Sequence, residues 1–112
     1  MFELLFLTEG YNCYMKNSDQ LDPKKMEKLY EAFLALKTPD ECKRFLRDLC
    51  TLSELREMSE RFLVADMISQ KIPYREIAAR TGVSTGTITR IAHWLYHGEE
   101  GYALILKRLE GD

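Results

Sequence analysis

The stretch "PYREIAARTGVSTGTITRIAHWL", residues 73–95, decides how the chain reads. Its apolar positions predict two short helices on either side of a tight turn, the first over about 73–80 and the second over about 84–97. Two helices that cross closely need a small side chain where the backbones pass, and Ala78 supplies it. The turn needs a residue that tolerates positive φ, and Gly82 follows four residues later. Ile77, Val83, Ile88 and Ile91 fall where apolar anchors of such a unit must point into a core. Together these requirements describe a helix-turn-helix.

The same register fixes the outer face of the second helix. With Ile88 and Ile91 inward, Thr85, Gly86, Thr87, Thr89 and Arg90 lie toward the outside. Ser84 caps the N-terminus, where backbone N–H groups and the helix dipole favour a phosphate. Threonine offers a hydroxyl for base edges and a methyl for thymine, and Arg90 can reach a phosphate or a guanine. An acid on this face would meet phosphates, and a large apolar residue would sit in water. The expectation is double-stranded DNA as partner, read in the major groove by the helix that begins at Ser84. The plainer alternative is a helical hairpin whose Ala, Gly and Ile only satisfy packing.

Composition is compatible with that reading. The chain has 112 residues, enough for one helical domain over 15–112, with 46% hydrophobic and 30% charged residues. No run approaches the roughly 20 apolar residues of a membrane span, so no membrane partner is expected. The formal net charge is −2, but residues 71–97 carry Lys71, Arg75, Arg80 and Arg90 against Glu76, a local +3. The uneven distribution matters more for partner choice than the sum. Cys13, Cys42 and Cys50 show no metal-ligand spacing, and an odd count fits free thiols in the cytoplasm. Cys42 and Cys50 fall on apolar helix faces and read as small core residues.

The opening "MFELLFLTEGYNCY" lacks the basic segment and cleavage site of a signal peptide. Two readings stand for residues 1–14: an extension upstream of a native start at Met15, or an N-terminal arm able to pack on a neighbouring chain.

Asp22-Pro23 starts a helix with Met26, Leu29, Tyr30, Phe33, Leu34 and Leu36 on its apolar side. "TPDE" at 38–41 and "TLSE" at 51–54 are capping boxes. The first opens a helix with Cys42, Phe45, Leu46 and Leu49 inward. The second opens a helix to about Ser69, buried through Leu55, Met58, Phe62, Leu63, Ala65 and Ile68. Gly98 ends the reading helix, and Gly101 precedes a last helix carrying Tyr102, Leu104, Ile105, Leu106 and Leu109. The fold class is all-α, about six short helices. Broad apolar faces on short helices also point to a dimer.

From "LTLSELREMSERFLVADMI" through the 73–95 stretch to "GYALILKRL", the chain resembles the Trp repressor superfamily, in particular its YerC/YecD-type branch of Trp-repressor-like proteins. The likeness covers about residues 20–110. It implies six helices per chain interlocked into a two-fold dimer, with the helix-turn-helix as the fourth and fifth helices. It further implies operator binding by a transcriptional repressor, with Thr85, Gly86, Thr87 and Thr89 facing DNA and Arg75 on a phosphate. In the tryptophan-sensing members two arginines sandwich the indole, and Arg61 and Arg90 match those positions. Just beyond, "IAHWLYHG" departs from the small and polar residues of those members, and Ile91, His93 and Trp94 would crowd such a pocket. No cofactor is expected. A corepressor other than tryptophan, or none, fits the chain better than tryptophan itself.

His93 and His97 share a helix face at metal-ligand spacing, but no third ligand is evident, so no metal is expected. Trp94, Tyr96 and Tyr102 read as core or interface aromatics. Two rivals remain: a helical protein-interaction module that does not bind DNA, and an enzyme using a Cys with the His pair. The second lacks a nucleophile motif, a phosphate loop and paired acids.

Overall fold

A computed structural model describes residues 21–111, and among them all regular structure is helical. The expected arm or extension at 1–14, the start at Met15 and Cys13 lie outside the described residues. The helices are α1 (Pro23–Leu34), α2 (Pro39–Leu49), α3 (Leu52–Ser69), α4 (Tyr74–Thr81), α5 (Thr85–His97) and α6 (Gly101–Leu109).

Their starts are set by side-chain caps. Asp22 accepts the Lys24 N–H at 3.0 Å, with Pro23 at the first helical position. At α2 the Glu41 N–H donates to Thr38 Oγ1 at 3.1 Å, while Glu41 reaches back to the Lys37 N–H at 2.8 Å. A reciprocal capping box opens α3, with Glu54 N–H on Thr51 Oγ1 at 3.0 Å and Thr51 N–H on Glu54 Oε1 at 2.9 Å.

The end of α3 has a different origin. Lys71 takes a left-handed conformation with φ 67°. Its N–H donates to the Ile68 carbonyl at 2.9 Å, and the Ile72 N–H donates to the Met67 carbonyl at 3.2 Å. This crossed pair is a Schellman motif, and Ile72 packs onto the core as its apolar partner. The chain thereby leaves α3 and enters α4 at Pro73 without a glycine.

The chain divides into two compact units, with the boundary inside α2 between Phe45 and Leu46. In the first, Phe33 and Phe45 meet edge-to-face with centroids 5.7 Å apart. In the second, the core gathers Val64, Ala65, Met67 and Ile68 of α3, Ile77 of α4, Ile88, Ile91, Ala92 and Leu95 of α5, and Leu106 of α6. Phe62 and Tyr102 stack at its margin, centroids 6.3 Å apart.

Several apolar residues expected inside are not. On α3 the buried face is Val64, Ala65, Met67 and Ile68; Met58 and Leu63 are exposed, and Phe62 and Leu55 are half-buried. This helix is apolar on more than one side, and α4, α5 and α6 cover only one of them. Tyr30, Phe33, Leu34, Leu49, Leu104, Ile105 and Leu109 are likewise exposed. Cys42 and Cys50 are half-buried free thiols.

Candidate nucleic-acid interface

The helix-turn-helix forms as the spacing requires. Gly82 ends α4 with φ 80° and donates its N–H to the Ala78 carbonyl at 2.8 Å. Ala78 is partly buried against the core, as is Val83, and Ile77 and Ile88 are fully buried. The turn is stapled by a side chain that the pattern of apolar residues did not reveal. Thr81 Oγ1 donates to the Ile77 carbonyl at 2.8 Å and accepts the Val83 N–H at 3.1 Å. A threonine immediately before a helix-ending glycine is a signal for such a bridge.

Ser84 caps α5, its Oγ accepting the Thr87 N–H at 3.2 Å. With Ile88, Ile91, Ala92 and Leu95 buried, the expected outer residues Ser84, Thr85, Gly86, Thr89 and Arg90 are exposed. Thr87 is only half-buried, because it sits beneath the cap: Ser84 Oγ donates to its Oγ1 at 3.1 Å. Arg90 Nη2 donates to the same oxygen at 3.3 Å. The Thr89 hydroxyl turns back to the Thr85 carbonyl at 2.9 Å. Gly86 has room for a side chain, since a Cβ there would meet nothing nearer than Ser84 Oγ at 4.0 Å.

The cations divide into two kinds. Arg80 pairs with Glu76 one helical turn away on α4. Lys71, Arg75 and Arg90 are exposed and form no ion pair among the described residues. The local positive charge is therefore presented along this segment rather than neutralised within it.

Arg61 lies exposed on α3, and no hydrogen bond or ion pair within the described residues ties it to α5. Ile91 is buried in the core directly after Arg90. His93 lies edge-on to Trp94 and 5.3 Å from the His97 ring, centroid to centroid. No group of three or more His, Cys, Asp or Glu among the described residues could hold a metal ion. Nor is any described helix long and apolar enough to cross a membrane.

The family model described as Trp repressor protein matches residues 24–110, from the second residue of α1 to the residue after α6. The chain belongs to the Trp repressor family. Within that family it is 37% identical over 92 residues to the uncharacterized protein YerC of Bacillus subtilis, covering 82% of this chain and 88% of YerC. Two crystal structures share its fold. One is a TrpR-like protein from Eubacterium eligens, 39% identical, with a TM-score of 0.78 over 83% of this chain and 96% of that one. The other is a candidate Trp repressor from Staphylococcus aureus, 36% identical, with a TM-score of 0.77 over 84% of this chain and 94% of that one. The described residues thus share the all-helical fold of these structures, and the chain is similar to the YerC-type branch.

Proposed function

We propose that the chain is a sequence-specific DNA-binding transcriptional regulator, a cytoplasmic homodimeric repressor that occupies its operator through α4 and α5. The observation that carries this reading is the division of α5. Its inner side is fixed by the core, while its outer side presents hydroxyls, a glycine and an arginine beside a capped N-terminus. Arg75 and Lys71 supply phosphate contacts, so affinity falls steeply with salt. Arg90, Thr85, Gly86 and Thr89 form the surface that enters the major groove, with the half-buried Thr87 supporting it from within the helix.

The exposed apolar residues support a second copy as partner. Leu34 is 85%, Leu109 70% and Leu52 60% exposed, large apolar side chains that a second copy would cover. A two-fold dimer would read half-sites about one helical turn apart. A corepressor other than tryptophan, or none, belongs to this reading. Ile91, next to Arg90, is committed to the core, and Arg90 turns to Thr87.

Selection of sites from a random duplex library, at moderate salt and without added ligand, tests the proposal. Enrichment of a two-fold symmetric site is the expected result. Salt-insensitive capture of a protein partner with no duplex enriched would favour the interaction-module alternative.

A further inference from the structure

We propose that Thr87 is a positioning residue whose hydroxyl holds the Arg90 guanidinium on the outer face of α5. The inference rests on the DNA reading above and concerns how its arginine is presented.

Ser84, Thr87 and Arg90 follow one another at intervals of three along one flank of the helix. They form one chain of contacts. Thr87 N–H donates to Ser84 Oγ, Ser84 Oγ donates to Thr87 Oγ1, and Arg90 Nη2 donates to the same Oγ1. The N-terminal cap fixes Ser84, Ser84 fixes the Thr87 rotamer, and Thr87 takes one end of the guanidinium. Both acceptor positions of the Thr87 hydroxyl are thereby filled, and its half-buried side chain is turned along the helix.

The contrast with Arg80 shows what this arrangement achieves. Arg80 is held by the Glu76 carboxylate, which orients the guanidinium but neutralises it. Arg90 is held by a neutral hydroxyl, which orients the guanidinium and leaves its charge and remaining N–H donors for a phosphate or a guanine. A long side chain already placed loses less rotamer freedom on binding. Arg90 is accordingly oriented by its own helix before it meets DNA.

The test is a double-mutant cycle on the duplex enriched by site selection, measured across a range of salt without added ligand. Thr87→Val keeps the shape and the methyl group and removes only the hydroxyl; Thr87→Ser keeps the hydroxyl. The expected result is that Thr87→Val weakens binding roughly fivefold, the scale of ordering one long side chain on binding. Its salt dependence should stay close to that of the unmodified chain, because Arg90 keeps its charge, whereas Arg90→Ala should become shallower. Thr87→Ser should stay near the unmodified chain, and in an Arg90→Ala background Thr87→Val should change little. An equal loss in both backgrounds would mean that Thr87 reads the DNA itself and overturns the inference, as would a Thr87→Val protein of unchanged affinity. A chain that binds no duplex overturns the DNA reading and this inference with it. Nuclear magnetic resonance of the unmodified chain gives a measurement independent of any variant's folding. Restricted motion of the Arg90 guanidinium is expected, and free rotation overturns the inference.

Discussion

Helices α1 and α5 are nearly the same length, 12 and 13 residues, and both begin with a side-chain cap and carry an apolar stripe. Yet α5 buries four residues and α1 buries none. The difference is what lies opposite. The apolar side of α5 meets α3, α4 and α6, and Ile88 there has no exposed surface at all. On α1, Met26 and Leu29 are half-buried while Tyr30, Phe33 and Leu34 remain exposed. Periodicity states that a face is apolar; it does not state that the same chain supplies the cover.

The comparison can be broken most directly at Ile88. Truncation to Ala removes buried methyl groups and leaves a cavity, and a loss of about 2–5 kcal/mol is expected in urea or thermal unfolding. A loss below 1 kcal/mol would mean that the α5 core is as loosely covered as α1. Next in size is Gly82→Ala at the turn between α4 and α5. Space is open there but φ is 80°, so a cost of about 1–2 kcal/mol follows from the left-handed backbone alone. Gly86→Ala has the opposite sign. With nothing nearer than 4.0 Å, the added methyl should stabilise the helix by up to about 1 kcal/mol while weakening duplex binding. Unchanged binding would remove Gly86 from the DNA-facing surface. The smallest effect is expected at Leu34→Ser on α1, within about 0.5 kcal/mol in protein dilute enough to be monomeric. A loss there as large as at Ile88 would show that α1 is covered after all.

Much of the architecture was legible in the sequence because short-range chemistry writes it there. Asp22, Thr38, Thr51 and Ser84 are capping residues at the starts they were expected to mark, and Gly82 ends α4 where a positive φ was required. The anchors Ile77, Ile88 and Ile91 went to the core because only one register satisfies both helices of the unit. What was not legible depends on what meets what. Leu63 and Leu49 continue apolar stripes yet stay exposed. Lys71 gives no hint of a left-handed turn, because the Schellman hydrogen bonds and Ile72 impose that conformation on a residue that does not favour it. The outer residues of α5 were identifiable by elimination. The contacts among Ser84, Thr87 and Arg90 depend on rotamers, which spacing alone does not determine.

The split of α5 into four core residues and an exposed rim also bears on how such a chain can change over time. Positions 85, 86, 89 and 90 face solvent and hold up no other element, so they can be exchanged without disturbing Ile88, Ile91, Ala92 or Leu95. Under the DNA reading, what the protein recognises and whether it folds are inherited through separate sets of residues. A lineage could then drift to a new target sequence one rim substitution at a time, each intermediate as well folded as the last. An engineer seeking new recognition would randomise that rim and leave the rest of the chain alone.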